Sequence, residues 1–185
     1  MHTQDLEVIE KLAAKVPSKG KIVEIGSFCG RSSWAWAKSC DPSVTVYCLD
    51  IWPLPNERPF TSDAGFASLM KGNLTNDDFI NFSPHHEFLR RTQDCPNIVP
   101  MRGESPKDFH WNQGEIDLLF IDDEHTYEQL MLNFKYWYPF LKPNGILCGD
   151  DYHTKVFPEV VKGVKEISRT LKRSYRVEGH SFWIC

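Results

Sequence analysis

Five places in this 185-residue chain put acidic or small polar residues where a β-rich run gives way to a turn. They are Glu24-Ile25-Gly26, Asp50, Gly103-Glu104-Ser105, Asp122-Asp123-Glu124-His125 and Asp150-Asp151. An acid at one strand end is ordinary, because Asp often caps the helix that follows. Five in succession are better explained by one site, since the strand ends of a parallel sheet share an edge. Asp122, Asp150 and Asp151, if they converge, repel one another unless a proton or a cation intervenes. They are candidate ligands for a hard divalent ion, Mg²⁺ or Mn²⁺, in an all-oxygen shell completed by water.

A second group surrounds a glycine turn. The run Ile22 to Ile25 meets Gly26, Gly30 follows, and Arg31-Ser32-Ser33-Trp34 opens a helical pattern. The first N–H groups of such a helix have no partner inside it and favour an anionic group. Glu24, at the end of the strand, offers an acceptor to a cationic one. Asp50 lies about 20 residues beyond the turn, where an acid takes the vicinal diol of a ribose. Phe28 stands where a dinucleotide fold needs its second glycine, so a pyrophosphate is disfavoured. A ribose-bearing ligand with an amine and a carboxylate but no phosphate remains, and S-adenosylmethionine meets each condition. Ser27, Phe28, Gly30, Ser32, Ile51 and Trp52 flank these positions and join the cofactor-facing set, with Trp52 placed to pack on the adenine.

The elements that must position these residues are legible from periodicity. Leu6, Ile9, Leu12, Ala13 and Val16 form an apolar stripe over a helix at 5–16, ended by Pro17-Ser18-Lys19-Gly20. Strands are expected at 22–25, 44–49, 98–102, 116–121 and 146–149. Helices are expected at 31–40, at 124–141 and along Val160, Val164, Ile167 and Leu171. Tyr175 to Glu178 and Ser181 to Cys185 read as a hairpin around Gly179. The fold class is therefore α/β: a Rossmann-like, doubly wound, mainly parallel seven-stranded sheet with helices on both faces and an antiparallel terminal hairpin. Residues 1–185 form one domain. The stretch at about 52–97, with Pro53, Pro55, Pro59 and Pro84, exceeds an ordinary βα connection. It reads as an insertion that caps the site, with a helix at about 84–94 turning Phe88 and Leu89 inward.

VEIGSFCGRSS, FIDDEHTYEQ and LKPNGILCGDDY, in this order over about residues 20 to 152, resemble the motifs of class I S-adenosylmethionine-dependent methyltransferases. Within that class the chain resembles the metal-dependent small-molecule O-methyltransferases, both catechol-type and sugar or macrolide enzymes. Their broader family includes cephalosporin-hydroxylase-like proteins. The resemblance implies that Glu24, Gly26 and Ser32 hold the methionine part, Asp50 the ribose, and Ser105, with Gly103 and Glu104, the adenine edge. It places Asp122, Asp150 and Asp151 on the metal ligands and His125 on the catalytic base, with Asp122 also bordering the cofactor and joining His125 as a catalytic residue. A substrate-binding acid of the catechol-type enzymes has no counterpart here, which argues against catechol itself.

The implied activity is Mg²⁺-dependent O-methylation of a small-molecule hydroxyl, of a sugar or natural product. Alternatives are a hydroxylase-like tailoring enzyme of the same broad family and a non-catalytic S-adenosylmethionine-binding protein. A net charge of −4 gives no basic footprint for a nucleic-acid partner. The basic residues Lys162, Lys165, Arg169, Lys172, Arg173 and Arg176 read as a solvated helix face. Six cysteines without a C-x-x-C pair fit reduced thiols and a cytoplasmic location. No run is long enough to span a membrane, and a homo-oligomer stays open.

Overall fold

The computed structural model describes residues 3–52 and 83–185. Most of the expected insertion, 53 to 82, lies outside the described residues. In chain order the elements are α1 (Thr3–Ala13), β1 (Lys21–Ile25), α2 (Arg31–Ser39), β2 (Thr45–Asp50), α3 (Pro84–Thr92) and β3 (Ile98–Arg102). There follow β4 (Ile116–Ile121), α4 (Tyr127–Trp137), β5 (Leu141–Gly149), α5 (Pro158–Leu171), β6 (Tyr175–Glu178) and β7 (Ser181–Ile184).

The seven strands form one sheet in the order β3-β2-β1-β4-β5-β7-β6. β1 to β5 pair in parallel, while β7 runs antiparallel to both β5 and β6. The chain moves outward through β1, β2 and β3 and then returns to place β4 on the other side of β1. That reversal opens a crevice between the carboxyl ends of β1 and β4. Ile25 and Ile121 are in register there, so the glycine turn and Asp122 emerge side by side.

Alternation with period two divides the apolar strand residues between two cores. Ile22, Val46, Cys48, Leu118, Phe120 and Cys148 pack against α1, α2 and α3. Val23, Ile25, Leu49, Leu119, Ile121 and Leu147 pack against α4 and α5. Burial on both faces explains why β4 reads as a near-continuous apolar run. All six cysteines are free. Among the described residues no helix is long and apolar enough to cross a membrane.

Three expectations need correction. β5 starts at Leu141, which pairs with Ile116, and a register shift absorbs Lys142 to Gly145, expected as a helix stop and turn. α4 ends at Trp137 and tightens into a 3₁₀ turn over Tyr138–Phe140. On α3 Phe88 turns inward as expected, but Leu89, one helical step round, is 46% exposed.

Candidate active site

The turn after β1 is built on two glycines in left-handed conformations, Gly26 at φ 90° and Gly30 at φ 75°. The Gly26 N–H donates to the Leu49 carbonyl at 2.8 Å. Its α-carbon faces the Asp122–Asp123 backbone so closely that a Cβ would lie 2.7 Å from Asp123 Cα and overlap the Asp122 carbonyl. Gly30 occupies the N-cap of α2 and supplies no side-chain cap, which leaves the first-turn N–H groups to the crevice. Arg31 follows at the first helical position, and Ser32 is buried within the turn of helix beside it.

Glu24 holds this turn from below. Its carboxylate is fully buried and accepts hydrogen bonds from the hydroxyls of Ser27, at 2.6 Å, and Ser33. Burial pushes its carboxyl up, against the lowering effect of the Ser27, Ser32, Ser33 and Cys48 side chains. The second oxygen, Oε1, is buried without a protein partner. Glu24, expected to meet a ligand amine, thus has no exposed surface as placed; it braces the residues that line the crevice.

Asp50 is engaged in a similar way. Oδ2 accepts from the Phe28 N–H and Oδ1 from the Trp52 N–H, each at 2.8 Å. Burial raises its carboxyl and these two backbone donors oppose the rise. Each oxygen retains a second lone pair for a diol. Phe28 and Ile51, on either side, are among the few large apolar residues left exposed.

Two members of the expected cofactor set are elsewhere. Trp52 is 1% exposed, with its ring against Phe88 and His85 and its Nε1–H donating to the Phe28 carbonyl at 2.7 Å. It is a core residue, because an indole this size is most stable with its apolar surface buried and its N–H paired. Ser105 is buried too. Its hydroxyl donates to Asn133 Oδ1 at 2.7 Å and accepts from Trp137 Nε1 at 2.9 Å. A hydroxyl committed on both sides is poorly suited to hold an adenine edge. Gly103 donates to the Asp50 carbonyl at 2.9 Å, while exposed Glu104 pairs with Lys107.

The acids at the ends of β4 and β5 do gather. His125 Nε2 lies 2.6 Å from Asp151 Oδ2, and the imidazole stacks on Phe157 with centroids 4.1 Å apart. Donor atoms of Asp122, His125 and Asp151 all lie within 4.8 Å of one another. Burial, then Asp150, Asp151 and Glu24, drive the Asp122 carboxyl well above the usual carboxylate range. Asp150, expected as a ligand, stands outside this trio. It lines the same cleft but is 4% exposed, and Ser181 donates to its Oδ1 at 3.1 Å. The correction is physical: β5 ends at Gly149, and beyond it Asp150 is held by Ser181 while Asp151, at φ 61°, reaches His125.

Burial, Asp5 and Asp151 push the Asp150 carboxyl up to about 6. The folded state therefore holds this proton more tightly than the unfolded chain, whose Asp titrates near ~3.9. The stabilising contribution is complete below the unfolded value and is lost as pH rises through about 6. Asp150→Asn keeps the acceptor for Ser181 and carries no charge. It is expected to exceed the wild type in stability at pH 7.5 by on the order of 2–3 kcal/mol. The gap should narrow towards pH 4 in urea titrations with chelator present; a gap that grows instead would contradict this account.

A family model described as a methyltransferase domain matches residues 23–152, which include the glycine turn, Asp50 and every acid of the trio. The chain belongs to this methyltransferase-domain family. Solved structures share its fold. The O-methyltransferase NovP is 19% identical, with 97% of this chain and 78% of that one covered at TM-score 0.65. The O-methyltransferase TomG from Streptomyces achromogenes, solved in complex with SAM, is 15% identical over 97% and 78% at TM-score 0.60. An rRNA methylase from Streptococcus thermophilus is 12% identical over 100% and 96% at TM-score 0.62. No curated protein matches the chain.

The residues of this methyltransferase domain fit S-adenosylmethionine at three points. The uncapped start of α2 suits a carboxylate, Asp50 suits a diol, and exposed Phe28 and Ile51 suit an adenine face. The domain also uses residues that the sequence reading passed over. Gln129 donates to the Ser105 carbonyl, and both Gln129 and Asn133 donate to Asp123, in part-buried hydrogen bonds behind the site. Their signal was available: Gln129, Asn133 and Trp137 recur every four residues, which aligns them on one face of α4.

Proposed function

We propose that the protein transfers a methyl group from S-adenosylmethionine to a hydroxyl of a small molecule. The observation that carries this reading is the His125–Asp151 pair, held between the loops that follow β4 and β5. Gly26, Phe28, Gly30, Ser32, Asp50 and Ile51 would border the cofactor, with Glu24 and Ser27 supporting the turn. When bound, S-adenosylmethionine supplies an electrophilic methyl group. His125 donates from Nε2 to Asp151 Oδ2, which puts the basic lone pair on Nδ1 and stabilises the imidazolium formed when Nδ1 takes the hydroxyl proton. Stacking on Phe157 fixes the ring plane, so the base keeps one orientation through the transfer.

A second reading adds a metal. Asp122, His125 and Asp151 would hold a divalent ion, which on binding acidifies a coordinated hydroxyl. Two carboxylates with one imidazole suit Mn²⁺ better than the Mg²⁺ of the all-oxygen expectation. The acceptor would be a sugar or natural product. The net charge of −4 favours a small molecule over nucleic acid, although rRNA methylases share the fold. Free cysteines fit a reducing, cytoplasmic setting.

Calorimetric titration with S-adenosylmethionine tests the core of the reading. Binding is expected with a Kd on the order of micromolar, about −8 kcal/mol. Folded protein that takes up none would end it. Methyl transfer to a panel of hydroxylated acceptors, before and after EDTA and with Mn²⁺ or Mg²⁺ restored, then decides between the metal-free and metal-assisted forms. Cofactor binding without transfer to any acceptor would favour a binding protein.

A further inference from the structure

Asn133 lies in the middle of α4, a helix otherwise packed on the sheet through Leu130, Met131, Phe134 and Trp137, and it is fully buried. A buried amide costs stability unless each of its groups is paired. Here both ends are paired, and to two different loops. Nδ2 donates to Asp123 Oδ2 at 2.8 Å, in the loop after β4 that carries Asp122 and His125. Oδ1 accepts from the Ser105 hydroxyl at 2.7 Å, in the loop after β3.

Its helical neighbours repeat the pattern. One turn earlier, Gln129 Nε2 donates to the Ser105 carbonyl at 2.6 Å and to Asp123 Oδ2 at 3.3 Å. One turn later, Trp137 Nε1 donates to the Ser105 hydroxyl at 2.9 Å. In the sheet β2 and β1 separate β3 from β4, three strand intervals or about 14 Å. The two loops therefore do not meet through the sheet. They are joined through one face of α4.

We infer that Asn133 is a positioning residue that sets the β3-end loop, Gly103 to Ser105, against the β4-end loop, Asp122 to His125. This rests on the proposed cofactor reading, in which Asp50 and the Gly26 turn, the neighbours of those two loops, border the bound molecule. Gly103 donates to the Asp50 carbonyl, and Gly26 abuts the Asp122–Asp123 backbone, so displacement of either loop reaches the crevice. The bridge also dictates polarity. Asp123 needs a donor from Asn133, whereas Ser105 needs an acceptor, and the amide supplies both at one position.

The polarity gives the test. Asn133→Asp sets two acceptors against each other, and Asn133→Leu removes both hydrogen bonds at nearly constant volume. Each is expected to weaken S-adenosylhomocysteine binding by tenfold or more in calorimetry. Combining Asn133→Asp with Asp123→Asn restores a donor–acceptor pair with its direction reversed. That double variant should recover to within threefold of the wild type. Circular dichroism and thermal melts show which variants are folded; if the leucine variant is not, the aspartate single and the swap decide. Folded single variants with wild-type affinity, or a folded swap as weak as Asn133→Asp, would overturn the inference. Failure of the wild type to bind S-adenosylhomocysteine would instead overturn the cofactor reading, and this inference with it.

Discussion

Gly26→Ala is expected to destabilise the protein by roughly 3 kcal/mol or more, at the upper end of single-substitution effects. Two penalties combine. At φ 90° an L side chain is strained whatever space surrounds it. Space is also lacking, because the new methyl would overlap the Asp122 carbonyl and lie 2.7 Å from Asp123 Cα. The obstruction is backbone, which cannot rotate aside as a side chain would. Relief requires β1 and β4 to separate at their carboxyl ends, where the Asp122 N–H donates to the Ile25 carbonyl at 2.8 Å. Urea denaturation measures the loss. A midpoint within 0.3 M of the wild type would show that the turn opens without cost. Any folded fraction should also bind S-adenosylmethionine poorly, since the crevice walls are the elements forced apart.

His125→Ala should leave the fold and cofactor affinity nearly intact and depress methyl transfer by about 10²- to 10⁴-fold. The side chain is 39% exposed, so little core is lost. What disappears is the proton acceptor, together with the partner that Asp151 holds at 2.6 Å. Asp151→Asn should lose less, because an amide carbonyl still accepts from Nε2 but stabilises the imidazolium less than a carboxylate does. Labelled methyl transfer to an acceptor that the wild type modifies, alongside calorimetry, separates the two effects. Equal losses of turnover and cofactor affinity in His125→Ala would assign His125 to binding.

Much of the architecture was legible before any coordinates. A short, nearly continuous apolar run such as Ile116–Ile121, bounded by turn residues, suits a strand inside a two-faced sheet, and the alternation of such runs with helical stripes implies parallel pairing. Gly26 and Gly30 announced the turn, since a strand rarely gives way to two spaced glycines without a close approach to accommodate. The collection of acids at one sheet edge followed from the same topology. Less legible were residues whose role depends on what lies behind them. Trp52 follows Asp50 closely enough to face a ligand, yet the geometry after β2 turns its ring onto Phe88. Ser105 sits at a strand end like the others, but Asn133 and Trp137 claim its hydroxyl.

By itself, then, the sequence determined what is local and periodic: strand and helix types, the glycine turn, and which edge of the sheet collects charge. Those follow from backbone sterics and from the burial of one face or two, which act over a few residues. Tertiary structure alone decided which polar atoms meet. It removed Asp150 from the trio and brought in His125, because beyond the end of β5 Ser181 holds Asp150 while Asp151, at φ 61°, reaches His125. It also turned Glu24 from an expected ligand into the brace of the turn, since Ser27 and Ser33 fold over its carboxylate. Partners separated by many residues carry no periodic signature, and hydrogen bonding is short-ranged and directional, so only the folded chain assigns them.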